Sequence, residues 1–405
     1  MALRKLFMLI NSLGGGGAEA VLVRLLPYLP VEKVFLLERE VDYPVPEGVV
    51  EVISSHHLGM SPIYKTLCIP YYAAKLIRRI PRGSVVVSFL ERANFVNVLC
   101  GRFGFSVPVI SVRMDQISGH VGIRKLNILL DMILYPRATR VVAVSKGVAK
   151  GLFKLGVPRE RVEVIYNPYP IDDLVRSSGE AIEDFLLDSP FLLNVGRFYR
   201  QKGHWHLIKV FSELKKIKPD LKLILVGKGE LLDRLLDFCG ALGLRAFCPG
   251  KDEMNGGFDV YFMGFKPNPF KYMSKATVFV MSSLWEGFPN VLVEALACGA
   301  PVVSSDCPSG PREILSPSTP FDMVARGVEL SDYGVLVPPL EDLPMDALGP
   351  LTRGQRFLLE ALLMLLEDEG LRARYSSLGP ERARHFDVKP IAGRWLDLLR
   401  SLGVA

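Results

Sequence analysis

Short runs of β-branched residues and leucine recur along the chain, separated by longer stretches in which apolar positions return at helical spacing. In the first half the runs are Lys5–Ile10, Lys33–Leu37, Val49–Ile53, Val85–Phe89, Val109–Val112, Val141–Val144 and Val162–Ile165. In the second half they are Phe191–Val195, Leu221–Val226, Val260–Met263, Val278–Met281 and Val302–Ser305. These runs lack a polar alternation, which predicts strands buried on both faces, in parallel sheets covered by helices. Between the halves, Asn167-Pro168-Tyr169-Pro170 leads into the polar, acidic segment Asp172–Asp188, which reads as a linker. The pattern therefore predicts an α/β chain of two Rossmann-like domains, 1–171 and 172–387, with a cleft between them. Ligands of such sheets bind beyond the carboxyl ends of the strands, so the loops there are the places to search.

Composition narrows the class. With 405 residues and 49% hydrophobic side chains the chain has ample core and is not disordered. Its 36 Gly and 29 Pro are dispersed, and no internal repeat is found. No run approaches the ~18–20 apolar residues of a membrane-spanning helix, although the mean hydropathy of +0.25 is high. Arg4-Lys5 followed by Leu6–Ile10 has the outline of a signal peptide, but the apolar stretch is short and no small-residue cleavage site follows. A first buried strand is the better reading. The cysteines at 68, 100, 239, 248, 298 and 307 form no Cys-x-x-Cys pair. Scattered thiols suit a reducing compartment, so a cytoplasmic protein is expected.

Charge is uneven: residues 1–171 carry +10 and residues 172–405 carry −4. No acidic residue occurs between Val52 and Leu90, where Lys65, Lys75, Arg78, Arg79 and Arg82 interleave with Tyr64, Leu67, Ile69, Tyr71, Tyr72 and Ile77. A second stretch begins at Gly122-Ile123-Arg124-Lys125 and runs to Tyr135. Both read either as elements lying on an anionic membrane surface or as ordinary amphipathic helices packed on a sheet. Nucleic acid is not expected as a partner, because the excess charge is modest and no binding motif accompanies it.

Three loops carry candidate chemistry. After the first strand, Gly14-Gly15-Gly16-Gly17-Ala18-Glu19 opens a helix; strand, glycine turn and helix start form a phosphate-binding geometry. A tight turn is the plainer reading, since Glu19 stands where a dinucleotide fingerprint has its third glycine. After Phe191–Val195 come Gly196-Arg197 and Gln201-Lys202-Gly203-His204, two cations suitably placed for a pyrophosphate or a solvated basic loop. The third loop, Ser282 to Gly299, places Glu286 before a helix that opens near Pro289 and Glu294 more than one turn inside it. Carboxylate, helix N-terminus and carboxylate match a nucleotide sugar in outline: hexose hydroxyls, diphosphate, ribose hydroxyls.

The two glutamates with seven residues between them, Glu286-Gly-Phe-Pro-Asn-Val-Leu-Val-Glu294, resemble the signature of glycosyltransferase family 4. Val144-Ser145-Lys146, Asn194-Val195-Gly196-Arg197, Leu225-Val226-Gly227-Lys228-Gly229 and Tyr333–Pro338 agree in order and spacing; residues 30–135 agree poorly. Asn268–Met273 and Cys307–Ile314 resemble members that extend polyprenyl-diphosphate-linked glycans. The resemblance implies a GT-B fold whose last helix, here about Val388–Leu402 within 388–405, returns to the first domain. It implies retaining transfer of a hexose or N-acetylhexosamine from a nucleotide sugar, with a UDP-sugar the expected donor and no metal or other cofactor required. By the same resemblance Glu286 holds the donor hexose and Glu294 the ribose. Arg197 and Lys202 hold the diphosphate, helped by Gly15 and Gly16 and by the backbone of Gly287, Phe288, Pro289, Asn290 and Val291. Many relatives carry a functional histidine after the strand matching Val109–Val112; here that loop offers Arg113, Asp115 and His120 as acceptor-site candidates. The enzyme is thus expected at the inner face of the cell membrane. A GT-B nucleotide-sugar epimerase and a non-catalytic sugar-nucleotide-binding subunit remain as alternatives.

Overall fold

Valine-rich runs dictate the sheets. Val85-Val86-Val87 lies inside a strand whose every residue is buried, as an apolar run without alternation requires. The structure is a computed structural model that describes residues 3–14, 16–57, 59–113, 124–183, 189–253 and 257–404, without the side chains of residues 62 and 124–126. The chain divides into two units, Met1–Tyr169 with Phe386–Ala405, and Pro170–His385.

Among the described residues of the first unit, seven strands form one parallel sheet: β1 (Leu6–Ile10), β2 (Val31–Leu36), β3 (Val50–Val52), β4 (Ser84–Phe89), β5 (Ser106–Val112), β6 (Arg140–Ala143) and β7 (Val162–Val164). Their order is β3-β2-β1-β4-β5-β6-β7, a doubly wound sheet that reverses direction between β1 and β4. The closing helix, Val388–Ser401, belongs to this unit. It buries Ile391, Trp395, Leu398 and Leu399 in the same core as Leu6, Met8 and Leu22. The Trp395 ring lies 6.2 Å from that of Phe89, and truncating so large a buried side chain costs on the order of 3–5 kcal/mol.

The second unit holds β8 (Phe191–Val195), β9 (Lys222–Val226), β10 (Ala246–Phe247), β11 (Val260–Phe262), β12 (Val278–Met281), β13 (Val302–Ser305), β14 (Glu329–Leu330) and β15 (Val335–Val337). Their order is β10-β11-β9-β8-β12-β13-β15-β14, parallel except that β14 pairs antiparallel with β15. This sheet reverses between β8 and β12, so the loops after those two strands flank its switch point.

Three of these strands, β10, β14 and β15, are absent from the sequence reading; they hold two or three residues each. The expected linker is also corrected. Its start is a helix, Ile171–Ser178, with Ile171 and Leu174 buried; its Ser177 and Ser178 carbonyls accept hydrogen bonds from Asn268 Nδ2 at 2.8 Å and Ser274 Oγ at 2.7 Å. The segment packs within the second unit rather than serving as a linker. Apolar residues at positions 171 and 174, one helical turn apart, were the signal.

Candidate functional site

The loop after β8 and the loop after β12 meet at a carboxylate. Glu286 is 6% exposed, and Lys202 Nζ lies 2.6 Å from its Oε1. Ser283 Oγ donates to the same oxygen at 2.7 Å, and Gln201 Nε2 reaches Oε2 at 3.3 Å and the Trp285 carbonyl at 2.8 Å. A nearly buried carboxylate needs such compensation, because desolvating the charge alone is very costly. The sequence reading set Glu286 and Glu294 along one edge and grouped Lys202 with Arg197; the structure places Lys202 directly against Glu286. Gln201 and Ser283 were not assigned a role, and only the close spacing of Ser283 and Glu286 hinted at one.

Local backbone makes this approach possible. Gly203 has φ +58°, and a Cβ there would sit 2.3 Å from the Ser282 carbonyl oxygen, so only glycine lets the two loops close. Ser282 Oγ donates to the Lys202 carbonyl at 3.0 Å, and Leu284 N donates to the Gln201 carbonyl at 2.8 Å. Arg197 is exposed at the carboxyl end of β8. The helix Asn290–Ala297 begins directly after Pro289, which occupies its N-cap rather than its first turn, and Glu294 lies half-buried within it. Gly287, Phe288 and Pro289 are buried, with Asn290 and Val291 half-buried at the helix start.

A third loop clamps the second. Glu286 N donates to the Pro308 carbonyl at 2.6 Å, Ser309 N donates back to the Glu286 carbonyl at 2.8 Å, and Ser309 Oγ donates to the Gly287 carbonyl at 2.9 Å. Gly310 has φ +100° and packs where a Cβ would meet Pro289 Cδ at 2.7 Å. Behind this loop Arg312, almost fully buried, donates to Asp306 Oδ2 at 2.6 Å and to Glu329 Oε1 and Oε2 at 2.9 Å each. Its hydrogen bonds hold the Glu329 carboxyl below the usual range, while burial outweighs the same partner at Asp306 and raises it. Burial, with Glu286 close by, pushes the Cys307 thiol up, so it stays protonated and inert.

In the first unit Arg113 leaves the carboxyl end of β5, and its Nη2 donates to Asn167 Oδ1 at 2.5 Å. Burial lowers Arg113 to about 10, with Tyr169 and Glu19 acting in the opposite direction. Gly16 caps the helix Gly17–Leu25, and its carbonyl accepts from Tyr43 Oη at 3.0 Å. Gly15, Asp115, His120 and the side chains of Arg124 and Lys125 lie outside the described residues.

One of the basic positions read as membrane-facing is corrected. Lys65 is buried, with its Nζ 2.8 Å from Glu38 Oε2, and Arg92 contacts the other oxygen of the same carboxylate. It neutralises an interior charge and cannot face a bilayer. Arg79 Nε pairs with Glu51 Oε1 at 2.7 Å, Lys75 lies over the Tyr71 ring, Arg82 lies over the Phe105 ring, and Arg78 is exposed. No described helix is long and apolar enough to cross a membrane.

Comparison with known proteins gives the family. The model for Glycosyl transferases group 1 matches residues 180–319, and that for Glycosyltransferase Family 4 matches residues 15–173, including the stretch where motifs are thin. The chain is 30% identical over 96% of its length to an N-acetylgalactosamine-N,N'-diacetylbacillosaminyl-diphospho-undecaprenol 4-alpha-N-acetylgalactosaminyltransferase of Campylobacter jejuni, covering 98% of that protein. It is 22% identical to a second α-1,4-N-acetyl-D-galactosaminyltransferase of the same organism, over 98% of each chain. The crystal structure of Anabaena HepE in complex with UDP-glucose superposes with a TM-score of 0.74 at 22% identity, covering 98% of this chain and 99% of that one. On full-length likeness, two matching family models and two doubly wound units, the chain is a glycosyltransferase of family 4 with the GT-B fold.

Proposed function

We propose that the protein transfers a hexose or N-acetylhexosamine, with retention, from a UDP-sugar to a polyprenyl-diphosphate-linked glycan at the inner face of the cell membrane. The observation that carries this reading is the buried Glu286 carboxylate held by Lys202, Ser283 and Gln201 at the switch point of the second sheet. The names of both Campylobacter relatives support an acceptor linked through diphosphate to undecaprenol, and the HepE complex supports a UDP-sugar donor. Both relatives are transferases, which favours transfer over epimerisation.

In this reading Glu286 accepts hydrogen bonds from the donor hexose and Glu294 from the ribose. The bond between the anomeric carbon and the diphosphate oxygen breaks, and negative charge grows on the leaving nucleoside diphosphate. Lys202, Arg197 and the amides at the start of Asn290–Ala297 offset that charge, the role a divalent cation plays in other transferases, so none is required. A donor phosphate oxygen accepts the acceptor hydroxyl's proton as the hydroxyl oxygen bonds to the anomeric carbon from the face the diphosphate leaves. Gly15 and Gly16 are assigned to the phosphates, and Arg113, Asp115 and His120 to the acceptor, by resemblance. For the membrane face, Arg78 stands at the end of the helix Ile69–Ile77, which with the helix Pro62–Leu67 exposes Tyr64, Leu67 and Tyr71. The test is a panel of nucleotide sugars incubated with the protein and a membrane extract, with products identified by mass. A lipid-extractable product heavier by one hexose or N-acetylhexosamine is expected from a UDP-sugar. An epimerised nucleotide sugar, or no lipid-linked product, overturns the reading.

A further inference from the structure

At the amino ends of β5 and β6 in the first sheet lies a cleft of about 620 Å³ that sugar transfer does not explain. It opens where helix Glu91–Arg102 ends, where β5 begins at Ser106, and where the turn Tyr135–Arg137 leads to β6. Three guanidinium groups line it: Arg102, Arg137 and Arg161. No carboxylate lines it, and none of the three arginines has an ion pair among the described residues.

A basic residue at a helix end commonly answers the helix dipole, and Arg102 and Arg137 each close a helical segment. That accounts for part of the charge only. Two helix ends supply roughly half a negative charge each, against three full positive charges. The excess stands in a built recess. Arg161 Nη1 is fixed by the Pro136 carbonyl at 2.7 Å, and Arg137 Nη1 by the Ile133 carbonyl. The floor is tight: a Cβ on Gly101 would lie 2.8 Å from Pro108 Cγ. Guanidinium groups held by neutral carbonyls keep other N–H donors for a ligand and suit planar bidentate recognition of phosphate.

We propose that this cleft is an anion site for a phosphate ester, separate from the donor pocket of the second unit. The shared chemistry is a phosphate on an organic group, either a phospholipid headgroup reached from a bilayer or a soluble ester. The test compares the full-length protein with the Arg102→Gln/Arg137→Gln double variant and its Lys/Lys counterpart. One arm titrates glycerol 3-phosphate by calorimetry. The other measures flotation with phosphatidylcholine vesicles with and without phosphatidylglycerol. Binding in the first arm, weakened about tenfold or more in the Gln/Gln variant and partly retained in the Lys/Lys variant, supports a soluble ester. Flotation with phosphatidylglycerol, lost in the Gln/Gln variant and without response to glycerol 3-phosphate, supports a lipid headgroup. Unchanged binding in the Gln/Gln variant overturns the proposal, as does no response in either arm. Unfolding temperature and sugar transfer to a soluble acceptor analogue should stay at wild-type values in the double variant, which separates lost binding from lost fold.

Discussion

Lys202 Nζ and Glu286 Oε1 lie 2.6 Å apart, joining the loops after β8 and β12. The pair ties the carboxylate assigned to the sugar to a cation assigned to the leaving group. Glu286→Ala should therefore act on both. It removes a hydrogen-bond acceptor for the donor and leaves Lys202 without its counter-charge. Turnover should fall on the order of 10²-fold or more, as when a group acting on the transition state is lost. Glu286→Gln, which keeps the shape and one acceptor, should fall almost as far. Near-full transfer by either variant, with an unchanged circular dichroism spectrum, would remove Glu286 from the donor site.

Behind that pair, Arg312 supports the loop that holds Glu286 by its backbone. Arg312→Ala would leave the buried Asp306 without its cation, a change that costs about 3–5 kcal/mol where one partner of a buried pair is removed. Arg312→Lys separates positioning from folding. It keeps the charge but loses the fork that binds Asp306 and Glu329 together. The expected outcome is a raised KM for the nucleotide sugar with a smaller change in kcat, measured by initial rates. An unchanged KM with a lowered unfolding temperature would make Arg312 structural only.

The second unit should lose stability in mild acid. Burial lowers His204 to about 3 and His206 to about 4, from 6.5. Among the described residues neither His204 ring nitrogen has a hydrogen-bond partner. Below pH 6.5 the unfolded chain binds protons that the folded one refuses, so the neutral-histidine contribution is complete above 6.5. It is lost as pH falls towards 4 for His206 and towards 3 for His204. Each contributes a slope of up to about 1.4 kcal/mol per pH unit in its window. Urea unfolding of His204→Phe should show a weaker loss between pH 6.5 and 4 than the wild type. Parallel curves would mean that His204 is not held neutral inside.

The sheets were legible because buried parallel strands need unbroken apolar runs, and Phe191–Val195, Val278–Met281 and Val302–Ser305 appear with the bounds the pattern gave. The loops at the switch point were legible because glycine, proline and charge mark them. Lys65 was not. In sequence it is one more cation in an acid-free stretch, and its partner Glu38 lies 27 positions away, before β3. Charge patterning reports composition along the chain, whereas burial depends on which residues the sheet brings together. The arginine cleft was missed for the same reason, since Arg102, Arg137 and Arg161 stand apart in sequence and converge only at the amino ends of the strands.

That difference between Lys65 and its neighbours gives the last test. Reversing Arg78, Arg79 and Arg82 to glutamate changes surface charge: Arg78 is exposed and Arg82 lies on a ring. Arg79 loses its pair with Glu51, a partly exposed contact of about 0–1 kcal/mol. Flotation with anionic vesicles should drop strongly, and more so at low salt, where screening is weak. Lys65→Met should do the opposite on both counts. Vesicle binding should stay at the wild-type level, while stability falls by about 1–3 kcal/mol because Glu38 keeps only Arg92. If the triple variant floats like the wild type, the acid-free stretch is a packed helical face and the membrane contact lies elsewhere. If Lys65→Met releases the protein while leaving its unfolding curve unmoved, Lys65 is a surface residue and the interior ion cluster is wrong.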